Sequence, residues 1–188
     1  DLRMSRGLGD VYKRQVLGVG NRRITADALG PRTVQRILVT MGAGTAPPVR
    51  GLRPVAAVAP GVAAATGLSL QQLAAALVGQ LRPAAVVCVD SLCSAEGQRL
   101  GRTVQFSDSG LYPAQADHTR HLTRDTLGVP VVAAGIPTLM QAQEGADLVV
   151  TPRALDSVIA HGAALLAGSV NRALQPRLTV QQLCWLTG

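Results

Sequence analysis

Apolar positions along this chain fall into two kinds of stretch. Short unbroken runs occupy residues 16–19, 54–59, 84–89 and 129–134. Ala84-Ala85-Val86-Val87-Cys88-Val89 is wholly apolar and rich in β-branched residues, as a strand covered on both faces of a parallel sheet must be. Residues 103–107 read as a further strand and 148–150 as a short extended piece. Between the runs the apolar period lengthens. Leu70, Leu73, Ala74, Leu77, Val78 and Leu81 recur at helical spacing behind Ser69-Leu70-Gln71-Gln72, a capping-box pattern, and Pro83 stops that helix. Leu155, Val158, Ile159, Ala163, Leu166, Val170 and Leu174 make a stripe on a longer helix, opened by Thr151-Pro152 with proline at the first helical position. A helix over about 28–40, capped by Asp27 or a near neighbour with Pro31 in its first turn, and a short helix over 179–186 complete the set. Residues 20–26 read as a turn, and 41–51 and 108–121 as loops. Strands alternating with helices predict an α/β fold: a three-layer sandwich with a mostly parallel central sheet, one domain over residues 16–188.

Composition narrows the chemistry. The 188 residues suffice for one real core. Hydrophobic residues make up 47% but aromatics only 2%, so the core is built from Ala, Val, Leu and Ile. An aromatic platform for stacking single-stranded nucleic acid is missing, and no direct nucleic-acid function is expected. The formal charge is +7, and 17 of the 18 basic residues are Arg. They are scattered without a dense run, which favours a solvated Arg-rich surface over a dedicated acidic partner. Three cysteines without a C-x-x-C argue against a disulfide framework or a structural zinc site and for a reducing cytosol. No stretch reaches the roughly 18 apolar residues of a membrane span, and the N-terminus has no apolar signal-peptide region. Residues 1–15 hold four basic and two acidic residues with no apolar period. They are expected to be a leader foreign to the domain that follows.

Two of the apolar runs lead to aspartates. Val16-Leu17-Gly18-Val19-Gly20-Asn21 leads within a few residues to Asp27, and the run at 84–89 ends on Asp90. Ligands collect at the carboxyl ends of parallel strands, so two carboxylates delivered there from different strands can share a site. Sharing forces their pKa values apart and turns one into an acid while the other stays a base. The structural alternatives are a helix cap for Asp27 and a loop-holding residue for Asp90. Other candidates carry less. Gly18-x-Gly20 lacks the third glycine of a dinucleotide loop, because Arg23 stands there, and reads as a tight turn. His118 and His121, three apart, could ligate a metal with Asp117 or Asp108, although exposed loop histidines are the preferred reading. His161 on the long helix reads as structural. Ser91 has no nucleophile elbow around it. Cys88 reads as inert core, and Cys93 is a thiol with no histidine fixed beside it.

Longer blocks then become recognisable. Gly18-Val19-Gly20-Asn21 with Ile24-Thr25-Ala26-Asp27-Ala28-Leu29-Gly30-Pro31 resembles the G-x-G-N…T-P-D-A-L-G-P segment of the spore germination proteases, the endopeptidases that degrade small acid-soluble spore proteins. In the same order follow Pro60-Gly61-Val62 with Thr66-Gly67, Val89-Asp90-Ser91-Leu92, and residues 104–113 around Ser107-Asp108-Ser109-Gly110. Residues 126–138, including Gly135-Ile136-Pro137-Thr138, and residues 150–156 are the last two blocks. Together they span about residues 16–174.

The resemblance implies an atypical aspartic peptidase on a scaffold similar to the hydrogenase-maturation proteases, with no cofactor and no metal. It places the catalytic aspartates at Asp27 and Asp90, with Asp108, Asn21 and Ser109 as possible supporting residues. It further implies a zymogen, a homotetramer, a location in the spore cytoplasm and small acid-soluble spore proteins as substrate. The chain departs from the family in three places. Residues 1–15 stand where an N-terminal third is expected. Residues 114–119 replace a G-S-G-V-G-N loop. The stretch between Thr138 and Leu148 is short. Two other readings stay open: a metal-dependent processing peptidase using Asp27, Asp90 and His118 or His121, and an inactive protein that binds spore proteins through its Arg surface.

Overall fold

Residues 13–42, 51–112, 121–141 and 149–188 are described in the computed structural model of the chain. Six strands occur among them: β1 (Arg14–Gly18), β2 (Val55–Val58), β3 (Ala85–Ser94), β4 (Gln105–Ser107), β5 (Val131–Gln141) and β6 (Val149–Val150). The helices are α1 (Leu29–Val34), α2 (Ala63–Thr66), α3 (Leu70–Leu81), α4 (Arg124–Leu127), α5 (Leu155–Leu174) and α6 (Val180–Thr187). The strands form one sheet in the order β2-β1-β3-β5-β4, with β6 also paired to β5. The β1–β2, β1–β3 and β3–β5 pairs are parallel, while β4 and β6 run antiparallel to β5.

Strand alternation sends side chains to two helical layers. On one face Leu17, Val86, Cys88 and Ala133 pack against Leu70, Ala74 and Val78 of α3 and Leu127 of α4. On the other, Val89, Ala134 and Ile136 meet Leu29 of α1 and Ile159, Ala163 and Leu166 of α5. Farther along α5, Val170 and Leu174 close over Val16 and Val55. The three-layer α/β arrangement with a mostly parallel sheet is therefore as the sequence predicts. Ser69 and Gln72 form the expected reciprocal cap at the start of α3. Thr179 and Gln182 do the same for α6. No helix among the described residues is long and apolar enough to cross a membrane.

Several boundaries differ for physical reasons. The helix expected over 28–40 stops at Val34. Arg36 and Ile37 bond back only three residues, to Thr33 and Val34, which tightens the last turn. The chain is then taken over by α5: the buried Asn171 amide donates to the Arg36 carbonyl and accepts the Leu38 N–H. The helix expected from Thr151-Pro152 begins only at Leu155. β3 runs through Asp90 to Ser94 and β5 reaches Gln141, because each supplies the other's ladder beyond the point where β1 ends. Asp90 is thus inside a strand rather than at its end. β1 takes in Arg14 and Gln15, two residues the sequence reading gave to the leader, and residues 1–12 lie outside the described residues. So do the replaced loop at 114–119 and His118.

Candidate active site

Strand order creates the crevice. From β1 the chain moves to β2 on one side, then returns to place β3 on the other. Such a reversal leaves an opening beyond the carboxyl ends of the two strands, where ligands settle in open α/β sheets. The last ladder bond between them runs from Val19 N–H to Val89 O, 2.8 Å. Asp27 follows β1 and Asp90 follows Val89 directly.

A tight turn holds Asp27. Gly20 sits at φ +116°, a region that favours glycine, and a Cβ there would strike the Asp27 backbone oxygen. The chain folds back so that Asn21 N–H donates to Asp27 Oδ2 at 2.7 Å, a charge-assisted bond. Asp27 lies in a 3-10 turn over Thr25–Asp27, where its own N–H reaches Ile24 O at 2.9 Å. Its carboxylate makes no cap to α1, whose N-cap is Ala28 with no side-chain bond. The N-cap position expected for Asp27 is thus taken by Ala28, and the Asp27 carboxylate closes the turn through the Asn21 N–H instead. Asn21 is next to the site through its backbone, and its side-chain oxygen accepts the Arg23 N–H.

Asp90 is only 6% exposed. Burial first, and then the charge of Asp27, push its carboxyl up to about 7, while the Ser91 N–H at 2.7 Å from Oδ1 pulls the other way. A carboxylic acid that keeps its proton near neutral pH can donate to a substrate, and a charged carboxylate beside it can accept a proton from water. On the same strand face, Cys88 is pushed up to about 12 by burial and by Asp90. Cys88 is thus the inert core thiol expected, whereas Cys93 and Cys184 are exposed. A thiol reagent should titrate two cysteines in the native protein and the third only on unfolding. Three fast-reacting thiols would contradict this packing.

Asp108 and Ser109 do not join the pair. β4 runs antiparallel, so Ser107 stands opposite Ala133 while Asp90 stands opposite Gly135. Asp108 continues toward the amino ends of the parallel strands, about 10 Å along the strand direction from Asp90, with β5 between them. It is exposed there. Ser109 is engaged locally, with its hydroxyl 2.7 Å from that of Ser107. His121 packs edge-on against Tyr112, ring centroids 5.0 Å apart. Among the described residues no three His, Cys, Asp or Glu side chains gather to hold a metal. His161 is exposed and shares a hydrogen bond of 3.0 Å with Ser157. The open cleft that both line, with Arg102 and Ile136, contains neither aspartate.

Two residues near the pair carry no local signal. A Cβ on Gly30 would collide with the backbone oxygens of Val19 and Val89, so only glycine lets α1 sit directly on the β1–β3 ladder. Thr138, fully buried on β5, donates its hydroxyl to Ala26 O at 2.7 Å, across 112 residues of sequence. Both stood in blocks quoted for the family resemblance, which was the only sign available.

Comparison with known proteins agrees with that resemblance. The family model described as germination protease matches residues 4–146, most of the chain. The germination protease of Halalkalibacterium halodurans is 39% identical over 151 residues, covering 78% of this chain and 39% of the relative. That of Clostridium perfringens strain SM101 is 29% identical over 219 aligned positions, covering 89% and 67%. That of Bacillus subtilis strain 168 is 38% identical over 132 residues, covering 68% and 36%. The chain thus spans about two fifths of the Halalkalibacterium and Bacillus relatives. Among solved structures, the [NiFe] hydrogenase maturation protease HycI from Thermococcus kodakarensis KOD1 aligns with TM-score 0.44 at 18% identity, covering 88% of this chain and 99% of that one. The hydrogenase maturating endopeptidase HybD from E. coli aligns with TM-score 0.47 at 13% identity, covering 86% and 93%. The motif blocks, the paired aspartates and the family match converge: the chain belongs to the germination protease family.

Proposed function

We propose that this chain is an endopeptidase that hydrolyses small acid-soluble, DNA-binding spore proteins by two-carboxylate activation of water. The observation that supports this most is Asp90: buried, held at about 7, and facing the charge of Asp27. In the proposed step Asp27 takes a proton from water. The water oxygen attacks the peptide carbonyl carbon, and the Asp90 proton passes to the carbonyl oxygen. Collapse of the tetrahedral intermediate returns a hydroxyl proton to Asp90 and breaks the C–N bond, and the amine leaves with the proton that Asp27 received. Neither residue needs a metal for this, and the pair ends the cycle with one proton, as it began.

The family resemblance extends the proposal to a homotetramer in the spore cytoplasm, made as a zymogen. The direct test is incubation of the purified chain with a small acid-soluble spore protein from pH 5 to 9. Cleavage should fall about tenfold per pH unit above pH 7, as the Asp90 proton is lost. An intact substrate at every pH, where a full-length relative cuts it, would sink the proposal for this chain.

A further inference from the structure

Thr138 occupies an irregular point of the sheet. Leu92 of β3 pairs with Pro137 of β5, but the next residue, Cys93, pairs with Leu139. Thr138 is the extra residue between them, left without a partner in the β3 ladder. Bulges of this kind re-aim a side chain, and they are over-represented next to active sites. Here the re-aimed hydroxyl enters the turn that carries Asp27. It donates to Ala26 O, the carbonyl of the peptide unit whose nitrogen belongs to Asp27. That same unit donates its N–H to Ile24 O. The peptide leading into Asp27 is therefore gripped at both ends, while the Asn21 N–H holds the carboxylate.

We infer that Thr138 is a positioning residue for Asp27, and that the bulge in β5 exists to deliver its hydroxyl to the Ala26 carbonyl. This rests on reading Asp27 and Asp90 as a working pair. A threonine chosen only to fill the core would be replaceable by valine, which has the same shape and no polar atom to satisfy. The hydroxyl is what valine removes. Without it, the Ala26 carbonyl loses its buried partner, the 3-10 turn is free to shift, and Asp27 no longer stands fixed relative to Asp90. The groups that act on Asp90 are Asp27 and the Ser91 N–H, while the Cys88 thiol on the same strand is itself pushed up by burial and by Asp90. A displaced Asp27 is the one that changes.

The test compares Thr138→Val with Thr138→Ser in the whole chain. The readouts are Asp90 carboxyl titration by carbon-13 NMR and, in parallel, cleavage of a small acid-soluble spore protein. In Thr138→Val the Asp90 midpoint should fall by about half a pH unit, as the opposing charge recedes. The cleavage rate should drop at least about tenfold at saturating substrate, one decade for a misplaced reacting group. Thr138→Ser, which keeps the hydroxyl and loses the methyl, should restore both. If Thr138→Val does not fold, Thr138→Ala removes the same hydroxyl and takes its place. An unchanged Asp90 midpoint and rate, with only the melting temperature lowered, would overturn the inference. The titration needs no turnover, so it separates failure of this inference from failure of the proposed activity.

Discussion

Replacing Asp90 by asparagine is expected to end cleavage and, at pH 8, to raise the melting temperature. The carboxyl titrates at about 7 in the folded chain and near 4 when the chain unfolds. Between those values the folded state keeps a proton that the unfolded state releases. The resulting preference for the fold is complete below about pH 4 and is lost as pH rises through 7. Above that the fold must hold a buried, ionised carboxylate beside Asp27, a penalty of order 4 kcal/mol from the separation of the two values. Asparagine has the same shape, keeps an oxygen for the Ser91 N–H and carries no charge. At pH 8 it should recover much of that penalty, at about 2–4 °C for each kcal/mol in a chain of this size. At pH 4 the two proteins should melt together. A variant less stable than wild type at pH 8 would mean that Asp90 is not the strained, functional group described above.

Gly30→Ala should produce a large loss of stability from a single methyl group. The new Cβ meets backbone, the oxygens of Val19 and Val89, rather than flexible side chains that could turn aside. α1 has to lift from the β1–β3 ladder, or the ladder has to open. Overpacking against fixed atoms costs about 3 kcal/mol or more. The chemistry should suffer as well, because Gly30 lies three residues after Asp27 and the shift of α1 reaches the 3-10 turn. Chemical denaturation checks the first part, through a lower midpoint with an unchanged slope. Normal stability in Gly30→Ala would show that α1 is not seated as described.

The layers and most elements were legible because they follow from local signals. The stripe of α3, its Ser69–Gln72 cap and the apolar run of β3 each sit within a dozen residues of sequence. Details that depend on distant partners were not. Nothing near Asp90 says that β3 continues, since Ser91, Leu92, Cys93 and Ser94 have no strand period. The continuation comes from β5 running alongside. Nothing near Val34 ends α1, since Asn171 does so from 133 to 135 residues away. The direction of β4 is likewise unwritten in Gln105-Phe106-Ser107. Asp108 came to the candidate list through the family resemblance, and the antiparallel course of β4 carries it away from Asp90. The aspartate pair itself was found by position along the chain. What the structure adds is the reversal of strand order around β1 and the charge of Asp27 acting on the buried Asp90 carboxyl.

One measurement bears most directly on that pair: the carbon-13 titration of the aspartate carboxyls, with Asp90 assigned by its loss in Asp90→Asn. In the wild-type protein Asp90 should titrate near pH 7. In Asp27→Asn its midpoint should fall but stay above the ordinary carboxylate range, because burial is the larger cause. An Asp90 resonance titrating near 4 in the wild type, or one indifferent to Asp27→Asn, would contradict a shared two-carboxylate site.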